Sequence, residues 1–129
     1  MERLNEINLI GISKTLDHRG ITTETDLVTL LERITNSADP HVTYHVYRKY
    51  EGETECFIGK KVVSFENLPE GLNTYTILAQ NYEVFRDVKD AVETWHFIDN
   101  KQDLHRSYID FELYNEADNT SNIYVGLNS

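Results

Sequence analysis

Two hydrophobic periods alternate along this chain, and the order in which they come recurs. The stretch "LNEINLIGIS", residues 4–13, is rich in Ile and Leu and reads as a strand. Leu27, Leu30, Leu31 and Ile34 follow at i, i+3, i+4 and i+7, which places them on one face of a helix. Thr23 and Asp26 ahead of them approximate a capping box. In "HVTYHVYRKY", residues 41–50, the period drops to two, with Val42, Tyr44 and Val46 on one side and Thr43, His45 and Tyr47 on the other. "EGET" supplies a hairpin turn, and "ECFIGKKVVSF" returns as the antiparallel partner.

The segment "ENLPEG", residues 66–71, interrupts the pattern with Pro69 and Gly71 and reads as a linker. Beyond it, "LNTYTILAQ" is a strand, and Val84, Val88, Ala91, Val92 and Trp95 carry a second helical stripe from about Val84 to about Ile98. A polar loop, "NKQDLHRS", leads to the strand "YIDFELY", the turn "NEADNTSN" and a last strand, "IYVGL". The order strand, helix, strand, strand therefore occurs twice, offset by about 67 residues, without appreciable identity between the copies. The expected fold is a single α+β domain built of duplicated strand-helix-strand-strand modules, with halves at about 1–66 and 70–129. The modules form an antiparallel sheet with two helices on one face and an uncovered opposite face, and a ligand cleft lies between the halves.

Charge narrows the partners. A net charge of -10 over 129 residues repels phosphate backbones, and the only cationic clusters, Arg48-Lys49 and Lys60-Lys61, are mere pairs, so nucleic acid is not an expected partner. The same balance attracts cations. The single cysteine, Cys56, excludes an internal disulfide and reads as a buried thiol suited to a reducing compartment. The apolar run in "MERLNEINLIGIS" is too short for a signal peptide or a membrane span, so a cytoplasmic protein is expected. His18, His41, His45, His96 and His105 show no metal-binding spacing: His41 and His45 share a strand face but sit about 13 Å apart. No metal or cofactor is expected, and phosphate-cradling glycine loops and nucleophile elbows are missing from the sequence.

What remains is an aromatic surplus of eight tyrosines, five phenylalanines and one tryptophan. In "YIDFELY", Tyr108, Asp110, Glu112 and Tyr114 share one side, and parity in "NIYVGL" allows Tyr124 to join them. A carboxylate bordered by aromatic rings is suited to an organic cation, each ring contributing ~0.5 to 2 kcal/mol. The same spacing equally describes the solvated side of a sheet.

The segment "DFELYNEADNTSNIYVGL" resembles the closing hairpin of the GyrI-like small-molecule-binding domains, which also serve as effector-binding domains of multidrug-responsive transcription activators. "CFIGKKV", "LPEGLNTYTIL" and "VFRDVKDAVETWHFI" resemble further landmarks of that family in the same order, so the likeness spans the chain and is strongest after about Phe57. The resemblance implies the duplicated fold, a cleft between the halves, and an acidic residue that neutralises lipophilic cations, a position matched by Glu112. It further implies pocket roles for Tyr124 on the last strand, Trp95 on the second helix, Tyr47 at the first-half counterpart of Glu112, and Tyr114 at the rim.

Regulators of this family carry an N-terminal DNA-binding helix-turn-helix, whereas this sequence begins directly with its first strand. The expected role is a stand-alone, non-catalytic protein holding a hydrophobic, cationic or aromatic small molecule. Two alternatives stand beside it: a hydrolase of a reactive small molecule using Glu112 as general acid or base, and an acidic protein-interaction module of the gyrase-inhibitor kind with a protein partner.

Overall fold

The computed structural model describes residues 1–16, 25–50, 53–101 and 104–128. Its elements are β1 (Glu2–Leu4), β2 (Ile7–Leu16), α1 (Thr25–Glu32), β3 (Val42–Tyr50), β4 (Glu53–Lys61), β5 (Asn73–Ile77), β6 (Gln80–Val88), α2 (Ala91–Asp99), β7 (Ile109–Asn115) and β8 (Thr120–Leu127). The strands form one eight-stranded sheet in the order β1-β6-β8-β7-β3-β4-β2-β5, antiparallel at every pairing. The Thr23 cap, His18 and the tip of the "EGET" turn lie outside the described residues; Tyr50 and Glu53 nevertheless pair across that turn.

Strand periodicity divides the interior into two clusters, one on each face of the sheet. On the helix side, Leu31 and Ile34 from the α1 segment and Trp95 and Ile98 from α2 pack on Ile10, Tyr47, Cys56, Ile58, Ile123 and Val125. The opposite face, expected to be uncovered, is buried as well. Leu9, Tyr44, Val46, Phe57, Tyr82, Phe111 and Tyr124 form its cluster, with Phe111 stacked on Tyr124 at 4.4 Å and Tyr82 edge-on to both. No helix among the described residues lies over them, and the sheet curls around them into a half-barrel that keeps them dry. Glycine permits the curl where β2 meets β4. Gly11 and Gly59 pair in register, and a Cβ on Gly11 would lie 1.9 Å from the carbonyl oxygen of Ile58.

The second helix is shorter than its apolar stripe predicts. Val84 and Val88 belong to strand β6, which pairs with β8 and shifts register between Phe85 and Val88, where Asp87 adopts φ 56°. The irregularity breaks the period of two, so Val84 packs on the Tyr82–Phe111 face and Val88 on the helix face. α2 starts at Ala91 because Asp90, in extended conformation, accepts the Glu93 N–H at 3.0 Å. Replacing Asp90 by Ala is expected to lower stability by about 1 kcal/mol, read from a denaturation midpoint, with β-sheet content unchanged.

The edges cross the predicted division of the chain. β5 follows the "ENLPEG" segment yet pairs with β2, while β1, at the start of the chain, pairs with β6. Each edge thus ties one part of the sequence to the other. No described helix is long and apolar enough to cross a membrane.

Candidate functional site

β3 and β7 pair at the centre of the sheet, His45 opposite Glu112 and Tyr47 opposite Asp110. β4 and β8 flank them, so the helix side of the sheet is crossed by rows of side chains. One row is Ile58, His45, Glu112 and Ile123; the row beside it runs through Thr43, Tyr114 and Ser121. Glu112 is 0 % exposed. Trp95 descends from α2 and donates its indole N–H to Glu112 Oε1 at 2.8 Å, and Ser121 donates its hydroxyl to Oε2 at 3.2 Å. Tyr47 meets the Trp95 ring edge-on at 5.4 Å. The carboxylate is thus roofed by an indole whose ring also meets a phenol.

Three of the residues singled out in the sequence, Glu112, Trp95 and Tyr47, are therefore in one buried cluster. Tyr114 shares the Glu112 face but is half-buried at its margin, its hydroxyl donating to Asn119 Oδ1 at 2.5 Å. Tyr124 does not join them. In the β7–β8 hairpin Glu112 faces Ile123 and Phe111 faces Tyr124, so Tyr124 lies on the opposite side of the sheet. The four-residue turn between Asn115 and Thr120 makes this unavoidable: it pairs even-numbered residues of β7 with odd-numbered residues of β8.

Ser121 was not singled out in the sequence, and His45 and Lys60 were noted there only as a non-ligating histidine and half of a small cationic pair. Ser121 sits in β8, which begins at Thr120, three residues before the predicted strand. His45 is buried beside Glu112; its Nδ1 has no hydrogen-bond partner among the described residues, and burial, reinforced by Lys60, pushes its pKa down to about 4. Buried polar side chains at strand-interior positions were the available signal in each case.

Two surface clefts flank the Thr43–Tyr114 pair. One, of about 400 Å³, lies against the first turn of α2 and is lined by Val88, Asp90, Ala91, Tyr114 and Ser121. The other, of about 380 Å³, lies beside α1 and is lined by Leu31, Ile34, Ser37, Thr43, Lys60 and Glu116. Ser121 both lines the first cleft and holds Glu112. At the far end of α2, Arg106 donates to Asp99 at 2.8 Å and to Asp110 at 2.7 Å, and Asp110 accepts the Gly126 N–H at 2.8 Å.

No family model matches this chain, and no curated protein matches its sequence. Solved structures share its fold. SAV2435, solved bound to tetraphenylphosphonium, superposes with a TM-score of 0.69 at 14% identity, covering 99% of this chain and 92% of that one. A Staphylococcus aureus protein named for bacterial transcription regulation gives 0.65 at 16% identity, covering 99% of this chain and 96% of its own. An integron cassette protein from the mobile metagenome of Vibrio cholerae gives 0.61 at 20% identity, covering 98% of this chain and 94% of its own. Eight antiparallel strands and two helices in this arrangement are therefore a recurrent fold, and this chain is similar to those proteins along nearly its whole length.

Proposed function

We propose that this chain is a small-molecule-binding protein that holds a lipophilic organic cation between α2 and the β3–β7–β8 part of the sheet, with Glu112 as the counter-charge. The observation that carries this reading is a fully buried carboxylate that accepts the Trp95 indole N–H, with Tyr47 edge-on to the same indole. Positive charge beside a carboxylate held away from water is strongly favourable, so the site favours a positively charged guest over a neutral one. The aromatic rings add attraction for a cation once water is expelled. That a protein of the same fold was solved with tetraphenylphosphonium supports the ligand class.

The closed carboxylate requires an opening step. α2 is fastened at its C-terminal end by Arg106, whereas its N-terminal end is held by the Asp90 cap. The ligand enters from the cleft at that N-terminal end, displacing Ser121 and then Trp95 from Glu112. In this reading the strand-helix-hairpin units on either side of the β3–β7 pair are duplicated modules, and the site is their junction. Tyr114 serves at the rim, and the single buried Cys56 suits a cytoplasmic setting.

Replacing Glu112 by Gln is expected to weaken tetraphenylphosphonium by about 1.5 to 3 kcal/mol, roughly ten- to a hundredfold, while sparing neutral triphenylphosphine oxide. Calorimetric titration of both compounds checks it; equal losses for the two would remove the counter-charge role.

A further inference from the structure

The cleft beside α1 has a chemistry of its own. Lys60 lies at its floor with a side chain only 9% exposed. Its Nζ donates to the Pro40 carbonyl and to Thr43 Oγ1, both at 3.0 Å. Among the described residues the nearest carboxylate is Glu116, at 3.9 Å and itself 53% exposed. Two of the three ammonium protons therefore go to neutral oxygens, and the counter-charge stands beyond hydrogen-bond distance. Burial lowers the Lys60 pKa, with Glu116 and Asp39 opposing it, as expected for an ammonium short of negative charge. In the same cleft the Ser37 hydroxyl is buried with no hydrogen-bond partner among the described residues.

We propose that this cleft binds a small monocarboxylate with an apolar body, the carboxylate taking the third Lys60 proton and the Ser37 hydroxyl, the body resting on Leu31, Ile34 and Pro40. A charge-assisted hydrogen bond to a carboxylate replaces the distant Glu116 contact. Glu32 and Glu116 also line the cleft, and the chain carries a net charge of -10, so a dianion such as phosphate is repelled and a monoanion has to displace Glu116 alone. Glu116 is thus a built-in competitor for Lys60. The site is separate from the Glu112 reading, on the other side of the Thr43–Tyr114 pair.

The test titrates the full chain with 1-naphthoate and with its neutral analogue 1-naphthamide. The carboxylate is expected to bind at least about tenfold tighter than the amide, and Lys60→Met to abolish that preference. Glu116→Gln, a surface change, is expected to tighten naphthoate about two- to fivefold by removing the competitor. Tetraphenylphosphonium binding should not respond to Lys60→Met. Should that variant fail to fold, the acid-to-amide ratio and Glu116→Gln still decide. Equal affinity for acid and amide, no binding of either, or a Glu116→Gln variant that binds naphthoate no better would overturn the proposal.

Discussion

Replacing Arg106 by Met is expected to lower the stability of the fold by about 3 to 5 kcal/mol, a shift of roughly 10 °C or more in the thermal midpoint. The Arg106 side chain is almost fully buried, and it joins Asp99 at the end of α2 to Asp110 in β7. Asp110 is also buried, and one of its oxygens takes the Gly126 N–H of β8. Loss of the guanidinium removes the charge-assisted bond that Arg106 brings to that buried carboxylate, and methionine, similar in length, restores packing but not charge. Gly126 is closely approached by the backbone, since a Cβ there would lie 2.2 Å from the Ile109 carbonyl oxygen. Chemical denaturation of the variant checks the magnitude; a loss below about 1 kcal/mol would mean that the ion pair is incidental.

Acid is expected to destabilise the protein through His45. In the unfolded chain its imidazole takes up a proton near pH 6.5; in the folded chain burial holds it neutral until about pH 4. Between those values the unfolded state binds more protons, so stability falls as pH falls through this window and levels off below it. The gap corresponds to on the order of 3 kcal/mol in total, with no contribution above pH 7. Denaturation midpoints from pH 7 to pH 4 should show this slope in the native chain and a shallower one in His45→Gln. Identical slopes would assign the acid sensitivity to other groups. His45 also pairs with Glu112 across β3 and β7. A proton placed there supplies positive charge beside the carboxylate before any ligand does.

The sequence made the hairpins legible because polar turns separate apolar and aromatic runs in β3, β4, β7 and β8, although these strands are buried on both faces. The start of α2 was not legible. A spacing of four, as between Val84 and Val88, fits one face of a strand as well as a helix, and Asp90, the true start signal, lay inside the supposed helix. The face of Tyr124 was hidden for a different reason: strand parity fixes which residues of one strand go together, whereas the match between strands depends on turn length. With β8 starting at Thr120, the pairing places Tyr124 on Phe111 and brings Ser121 to Glu112. The second sheet face has no covering helix among the described residues, as expected, but its burial was not legible, because the curl that Gly11 and Gly59 aid is a property of the whole sheet.

Glu112 and Trp95 were both visible as candidates, but their hydrogen bond joins residues 17 positions apart on different elements, a contact that no local pattern encodes. That contact also provides the probe. Trp95 is the only tryptophan in the chain, so its fluorescence reports on the roof of the proposed site alone. Titration with tetraphenylphosphonium is predicted to change Trp95 emission in a saturable, single-site manner, with the change lost or shifted at least about tenfold in Glu112→Gln. Unchanged emission at saturating cation, or the same response with Glu112 replaced, would contradict the assignment of this buried carboxylate as the ligand's counter-charge.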